Sequence, residues 1–457
     1  MNKPEARRLD VAIVGTGPAA LYTAAELVKL SDPLVYVNLF ERLPTIGGLA
    51  RAGVAPDHAD RRRVIDEYQR QARRGGRLRF YGNVEMGRDI SHAELLEYHD
   101  AVIYAVGASA SQPLNIPGEH LPGCHGSSEF VAWYNGHPDA ADLAVSLDCE
   151  HAVVIGNGNV ALDVARILLK SSEALASSDM AAHAREALAR SRIREVSIIG
   201  RRGPAQAAYS HPELLELGEM EDVSLEVDPD ELSEAQWNQD DFHAKLKRGS
   251  LETYAKSADS TCSRRLALRF LQSPVEILGH DRVEGLRLVR NRLVAADDGC
   301  LKAVATQQLA TLPAGLVIHA TGYRGIPLAG LPFDERKGIV PNTEGRVLTA
   351  AGGNPVPGAY VVGWIKRGPR GVIGSNKFCA RQTVRALIDD LAKGRLMQAA
   401  KPASEIEHLL RERQCRIVTF RGWKNIDRHE RANAQGGQAR SKLVRVQDML
   451  RVAEHEA

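Results

Sequence analysis

The chain has 457 residues, 44% of them hydrophobic and 25% charged, with 40 glycines. Such a length exceeds one ordinary compact domain and predicts two, and the composition is that of a globular α/β protein rather than a disordered or collagen-like chain. Lys and Arg number 59 against 57 Asp and Glu, a formal net charge of +2, which is too balanced for a protein that binds nucleic acid.

The charged N-terminus, Met1 to Asp10, runs directly into an apolar strand and has the shape of neither a signal peptide nor a transit sequence. No apolar run approaches the ~20 residues that span a bilayer. No membrane span is therefore expected, and a cytoplasmic location is. The first predicted strand, Leu9 to Val14, leads into Gly15-Thr16-Gly17-Pro18-Ala19-Ala20 and a helical pattern through Leu30. This is a G-x-G-x-x-A dinucleotide fingerprint. Gly15 allows the tight turn, Gly17 lets the backbone approach a pyrophosphate, and Ala20 permits close packing of helix on strand, with the helix N-terminus facing the anion. The next strand, Val35 to Phe40, ends on Glu41, at the ~20-residue spacing expected of the acid that holds a ribose hydroxyl pair.

Further along, the strand Ala152 to Ile155 runs into a second copy, Gly156-Asn157-Gly158-Asn159-Val160-Ala161, and a helix from Leu162 to Leu169. Two nucleotides are implied. The strand that follows, Val196 to Ile199, ends on Gly200-Arg201-Arg202-Gly203 and carries no acid. A carboxylate there would repel a 2′-phosphate, whereas paired guanidiniums complement it, so the second site should prefer NADP to NAD. Two segments that resemble each other, Val102 to Gly107 and Val317 to Gly322, lie before and after this second fingerprint. The expected fold is α/β, with two Rossmann-like dinucleotide-binding domains. An NADP domain at 108–324 is inserted into a discontinuous FAD domain at 1–107 and 325–457. Glu231 to Ala258 reads as a peripheral excursion of the inserted domain, and the segment from Ala403 onward as helices and loops. The six cysteines, Cys124, Cys149, Cys262, Cys300, Cys379 and Cys415, form no C-x-x-C or C-x-x-x-x-C pair. They offer no iron–sulfur cradle, redox disulfide or metal site, and buried thiols are expected.

Longer strings carry a family resemblance: Gly53-Val54-Ala55-Pro56-Asp57-His58, Val154 through Arg166, Gly200-Arg201-Arg202-Gly203-Pro204, and Gly363-Trp364-Ile365-Lys366-Arg367-Gly368-Pro369 continuing through Gly371-Val372-Ile373-Gly374 to Asn376-Lys377. Over nearly its whole length the chain resembles the NADPH-ferredoxin reductases of the adrenodoxin reductase type, in particular their actinobacterial branch. The resemblance implies noncovalent FAD around Gly15, Gly17, Ala19, Ala20, Glu41, Gly48, Leu49 and Val84, with Trp364, Gly371, Val372 and Ile373 beside the isoalloxazine. It implies NADPH at Asn157, Gly158, Asn159, Val160, Arg201, Arg202 and Glu213, with Gly371 meeting the nicotinamide end. His58 and Glu213 take support roles, positioning the nicotinamide and handling protons. A Gly-Val-Ile-Gly turn opening a helix also offers backbone N–H groups to the pyrimidine end of a flavin. Two positions depart from the pattern: Gly47 stands where relatives carry an aromatic residue, and Gln112 where they commonly carry Arg. Leu215 likewise replaces a frequent Arg.

Hydride transfer between nicotinamide and flavin needs no side-chain nucleophile, so no catalytic triad is expected. The expected activity is that of a ferredoxin--NADP(+) reductase, with a ferredoxin or flavodoxin as electron acceptor. Candidate docking cations are Lys366, Arg367 and Arg370, and Arg62 within the Arg61-Arg62-Arg63 run. A disulfide reductase would need a C-x-x-x-x-C after the first fingerprint, and residues 42 to 60 hold no cysteine. The alternative from another class is a flavin-binding sensor or interaction protein without efficient turnover, against which the intact Arg201, Arg202 and Trp364 argue.

Overall fold

The computed structural model describes residues 8–455 apart from 63, 67–75, 234, 236, 239, 258, 260, 298 and 299. It divides into two compact units: Met1–Ala110 with Asn135–Ala141 and Tyr323–Ala457, and Ser111–Tyr134 with Asp142–Gly322. The short segment Asn135–Ala141 thus belongs with the first unit, inside the span 108–324 that the sequence assigns to the second domain.

The first unit is built on a seven-stranded sheet in the order Asn342–Thr343, Arg346–Leu348, Pro355–Val361, Ala101–Tyr104, Arg8–Val14, Leu34–Glu41, Leu78–Gly82. The last five of these strands pair in parallel, and the first three form an antiparallel edge. Successive residues of Arg8–Val14 enter two different cores. Leu9, Val11 and Ile13 pack with Leu27, Ala380 and Trp423, whereas Ala12 and Val14 pack with Phe40, Tyr104 and Val361. Both faces of the strand are covered, which is why it reads as a continuous apolar run rather than an alternating one. Strand order reverses beside Arg8–Val14, because the chain proceeds outward on one side of it and then crosses to Ala101–Tyr104 on the other. In a doubly wound sheet, ligands bind beyond the carboxyl ends of the strands at such a point.

The second unit repeats this plan with six parallel strands in the order Cys124–Gly126, Leu316–His319, His151–Ile155, Glu195–Ile199, Arg264–Arg269, Val223–Val227. One face of that sheet is covered by an antiparallel layer, Gln272–Leu278, Gly285–Ala295 and Leu301–Pro313, whose Ile277, Leu286 and Leu288 pack on Val153, Ile155 and Val317. The two look-alike segments are equivalent strands of separate sheets: Ala101–Tyr104 lies beside the first fingerprint strand, and Leu316–His319 beside the second. None of the six cysteines is in a disulfide, and the expectation of buried thiols holds only for Cys379. Cys300 is exposed and the other four are half-buried.

Candidate active site

At the first turn, Gly15 N–H donates to Phe40 O (2.7 Å) and Ala105 N–H to Val14 O (2.8 Å), so the turn is pinned between its two neighbouring strands. Gly15 has φ +99°, and a Cβ added there would lie 2.7 Å from Ala105 O. Only glycine suits both requirements. The helix Pro18–Val28 follows with Gly17 as N-cap and no side-chain cap. Pro18 has no N–H, so Ala19 and Ala20 supply the unbonded amides of the first turn. A Cβ at Gly17 would meet nothing within 4 Å, which leaves room for a pyrophosphate against the positive helix end.

Glu41 closes this site. Thr16 donates to its Oε2 through both backbone N–H (3.0 Å) and hydroxyl (2.6 Å), and Leu43 N–H donates to Oε1 (3.2 Å). Burial raises its pKa above the ordinary carboxylate value, and these hydrogen bonds oppose that rise. The carboxylate oxygens retain acceptor capacity for a hydroxyl pair. Val84 is buried and its N–H donates to Glu41 O (2.9 Å), so it braces the acid's strand end.

Leu49–Ala52 is a single helical turn, followed by the segment Gly53 to His58. A buried polar group holds this stretch. Asn135 donates to Val54 O (3.1 Å), while its Oδ1 accepts from Arg62 Nη2 (3.0 Å) and Lys442 Nζ (3.0 Å). The fully buried Glu430 accepts from Arg51 (2.9 Å), from Arg440 Nη1 (3.1 Å) and from Leu443 N–H (3.0 Å). Burial opposes its ionisation, but Arg51 and Arg440 outweigh burial and its pKa is lowered. The C-terminal segment thereby clamps the loop that carries His58. His58 is partly buried, and its N–H donates to Ala55 O (3.0 Å) to close a turn.

Trp364 stacks on Tyr323 with ring centroids 5.8 Å apart. It opens the short helix Trp364–Arg367, ahead of an exposed loop containing Gly371 and Val372 and the 3₁₀ turn Ile373–Ser375. That turn runs into the long helix Asn376–Ala392. Two of the docking candidates are corrected here. Lys366 is 7% exposed, and its ammonium donates to Gln382 Oε1 (2.8 Å) and Thr383 Oγ1 (3.1 Å). Burial lowers its pKa, and its charge is inside the unit rather than on a docking face. Arg62 turns inward, donating to Val54 O (2.7 Å) and to Asn135. Arg63 lies outside the described residues. Arg367 is half-buried and bonds Ser375 Oγ (3.2 Å) and Asn376 Oδ1 (3.1 Å), whereas Arg370 is exposed.

The second unit builds its turn in the same way. Gly156 N–H donates to Ile199 O (2.8 Å), Ala320 N–H donates to Ile155 O (2.7 Å), and a Cβ on Gly156, at φ +126°, would lie 2.3 Å from Ala320 O. Gly158 caps the helix Asn159–Leu169 without a side-chain bond, and a Cβ there too would meet nothing within 4 Å. Asn159 and Val160 carry the first-turn amides. The Asn157 carbonyl accepts from Ala208 and Tyr209 N–H (both 3.1 Å), while Asn157 Nδ2 and the Tyr209 hydroxyl are buried without a hydrogen-bond partner among the described residues. Orphaned donors beside an open helix N-terminus fit an oxygen-rich ligand. Arg201 is exposed and Arg202 half-buried. Their backbone carbonyls accept from Asn291 Nδ2 (2.9 Å) and Leu271 N–H (3.2 Å), and neither guanidinium is in an ion pair among the described residues. Glu213 is 3% exposed, in the first turn of the helix His211–Gly218.

A Cβ at Gly47 (φ +123°) would lie 2.6 Å from Ile65 Cδ1, so both the backbone and Ile65 disfavour a side chain there. Gln112 is held through its backbone, its N–H donating to Gly322 O (2.9 Å) and its O accepting from Thr321 Oγ1 (3.3 Å). Leu215 is 42% exposed. Among the described residues no helix is long and apolar enough to cross a membrane.

Two fingerprint turns, each at the switch point of a parallel sheet and each followed by an open helix N-terminus, define an α/β oxidoreductase fold with two dinucleotide sites. A family model described as pyridine nucleotide-disulphide oxidoreductase matches residues 9–206. The chain is 43% identical over 455 residues to the NADPH-ferredoxin reductase FprA of Mycobacterium tuberculosis, covering 97% of this chain and 98% of that one. It is 38% identical to the mitochondrial NADPH:adrenodoxin oxidoreductase of Arabidopsis thaliana, covering 99% and 97%. The structure of M. tuberculosis FprA in complex with NADPH superimposes with a TM-score of 0.93 at 42% identity, covering 98% of this chain and all of that one. The chain belongs to the NADPH-ferredoxin reductase family of the adrenodoxin reductase type.

Proposed function

We propose that the chain is an FAD-dependent NADPH:ferredoxin oxidoreductase that takes a hydride from NADPH and delivers electrons singly to a ferredoxin-type carrier. Bound FAD supplies the conversion of two-electron input into one-electron output. The observation that carries this reading is the pair of turns, one completed by an acid and the other by two arginines that are in no ion pair among the described residues. FAD is assigned to the unit Met1–Ala110 with Asn135–Ala141 and Tyr323–Ala457, and NADP(H) to the unit Ser111–Tyr134 with Asp142–Gly322. The amides of Ala19 and Ala20, with Gly15 and Gly17, would hold the FAD pyrophosphate, and Glu41 would hold its ribose. Gly48, Leu49, Val84, Trp364 and the Gly371-Val372-Ile373 loop enclose the remainder. Asn157, Gly158, Asn159 and Val160 hold the NADP(H) pyrophosphate, and Arg201 and Arg202 its 2′-phosphate. Gly371 meets the nicotinamide, and His58 and Glu213 position it and manage protons. Orientation and electrostatics are the protein's contribution, and no nucleophile is required.

The carrier is a ferredoxin or a flavodoxin, nucleic acid is not a partner, and the working location is the cytoplasm. Stopped-flow mixing is the test. The purified protein should be yellow, should release FAD on denaturation, and should bleach faster with NADPH than with NADH. A colourless protein that FAD cannot reconstitute ends this reading.

A further inference from the structure

We propose that the outward face of the start of the helix Asn376–Ala392, together with Arg370, is the docking surface for the electron carrier, and that it takes a small protein with an acidic rim around an apolar centre. The inference rests on the carrier-reducing activity proposed above. Lys366 is buried with its ammonium bonded inside the unit, and the half-buried Arg62 is turned toward Val54 O and Asn135, so the outward charge lies elsewhere.

What the surface presents instead is unusual in two ways. Of the nine large hydrophobic side chains that are exposed among the described residues, the most exposed, Phe378 at 74%, lies on this face. Single exposed apolar residues are ordinary, but an exposed ring set among cations, six positions after the Val372 of the loop assigned to the flavin, is suited to be an interface centre. Beside Phe378 in the chain stand four exposed cations: Arg370, Lys377, Arg381 and Arg385. Phe378, Arg381 and Arg385 follow the i, i+3, i+7 spacing of one helical stripe, while Cys379, Ala380, Thr383, Val384 and Leu387 bury the opposite stripe.

The neighbouring helix Pro18–Val28 brings one carboxylate to this face. Glu26 lies 3.6 Å from Arg381 Nε and is shared with Lys29 (2.9 Å). Lys377 Nζ sits 5.4 Å from the Tyr22 ring centroid, an arrangement that fixes the ammonium without neutralising it. A chain whose net charge is only +2 therefore concentrates positive charge here. Such a ring steers an acidic partner over about a Debye length, ~8 to 10 Å at moderate salt, and Phe378 then anchors the short-lived contact that an electron-transfer encounter needs.

The test uses the flavin-loaded enzyme and an acidic plant-type [2Fe–2S] ferredoxin, with ferricyanide as the small acceptor. The variants are Phe378→Ser and the double change Arg381→Gln with Arg385→Glu. Both should lower kcat/KM for ferredoxin about tenfold or more while leaving NADPH-to-ferricyanide turnover within about twofold, and only the arginine variant should flatten the salt dependence. Carbodiimide cross-linking of the unaltered enzyme to the ferredoxin should join Lys377 to a ferredoxin carboxylate, which tests the face without any variant. Unchanged ferredoxin kinetics in both variants, or cross-links confined to other lysines, would overturn the proposal. So would a dimer of the free enzyme in sedimentation that Phe378→Ser dissolves, since the face would then belong to a second copy. An unaltered enzyme that reduces ferricyanide but no ferredoxin would bring down the functional reading itself, and the docking face with it.

Discussion

The two fingerprint turns have nearly the same backbone and opposite recognition chemistry. In each, the first glycine donates to the end of the next strand, its α-carbon faces the carbonyl of an alanine after the adjoining strand, and the second glycine opens a helix with no cap. They diverge at the residue after the first glycine. Thr16 spends its hydroxyl and its N–H on Glu41, so the acid is fixed before any ligand arrives. Asn157 has no acid to bond, because the equivalent strand ends on Gly200, whose added Cβ would lie 2.4 Å from Asn157 Nδ2. The absence of a side chain at Gly200 gives the Asn157 amide its place, and Arg201 and Arg202 follow without carboxylate partners among the described residues. The backbone makes a pyrophosphate site, and one or two residues at the next strand end decide which dinucleotide it takes.

The largest effect should come from filling the turns themselves. Gly15→Ala places a methyl 2.7 Å from Ala105 O, and Gly156→Ala places one 2.3 Å from Ala320 O, both at positive φ. The first variant should purify colourless, whereas the second should keep its flavin and lose on the order of a thousandfold in kcat/KM for NADPH. Absorbance at purification and steady-state kinetics report the two outcomes. If both variants were colourless, the turns would not be independent sites and the comparison would fail.

A smaller effect, confined to the second turn, is expected from replacing Arg201 and Arg202 together with Ala. Each charge-assisted contact to a phosphate contributes roughly 1.5 to 3 kcal/mol, so the preference for NADPH over NADH should fall about a hundredfold or more. Flavin content should not change. An unaltered NADPH/NADH ratio would show that the arginines only face solvent, and that the missing acid alone sets the preference.

Both turns are legible in the sequence because each is local: an apolar run, glycines at fixed offsets and a strand-end residue, all within about 45 residues. Burial of a charge is not legible in that way. Lys366 reads as one more cation in a basic string, and only the packing of Gln382 and Thr383 reveals that it is internal. Ile65 crowds Gly47 across 18 positions with no recognisable motif between them. The clamp on the Gly53–His58 loop draws on Asn135, Glu430, Arg440 and Lys442, separated by up to some 300 residues, and no periodicity links them. Asn135 is also the first residue of the seven-residue segment that belongs with the first unit, and nothing in its composition announces that return.

That returning segment sets up the smallest expected effect, which would distinguish the first turn from the second by pH. His137 lines a crevice with Glu41, Thr45, Gly48 and Arg51. Its Nδ1 accepts from Asp139 N–H (3.1 Å), so the ring is neutral with its hydrogen on Nε2, and Arg42 holds the Asp139 carboxylate (3.0 Å). Burial drives the His137 pKa down to about 4 against the opposing pull of Asp139. The unfolded chain takes up this proton near the ordinary value of about 6.5, and the folded chain only near 4. Between the two, the unfolded state binds more protons, so stability is intact above 6.5 and declines as pH falls toward 4. At pH 5 the loss amounts to about 2 kcal/mol. A protonated Nδ1 can no longer accept from Asp139, and the segment should loosen from the Glu41 side of the crevice. Flavin release, followed by its fluorescence, should therefore rise as the pH is lowered from about 6.5 to about 4. His137→Asn keeps an acceptor for the Asp139 N–H without a titrating ring and should flatten the profile in that window. If His137→Asn released flavin with the same pH dependence as the unaltered protein, the sensitivity would have to come from Glu41 itself, and His137 would be only a wall of the crevice.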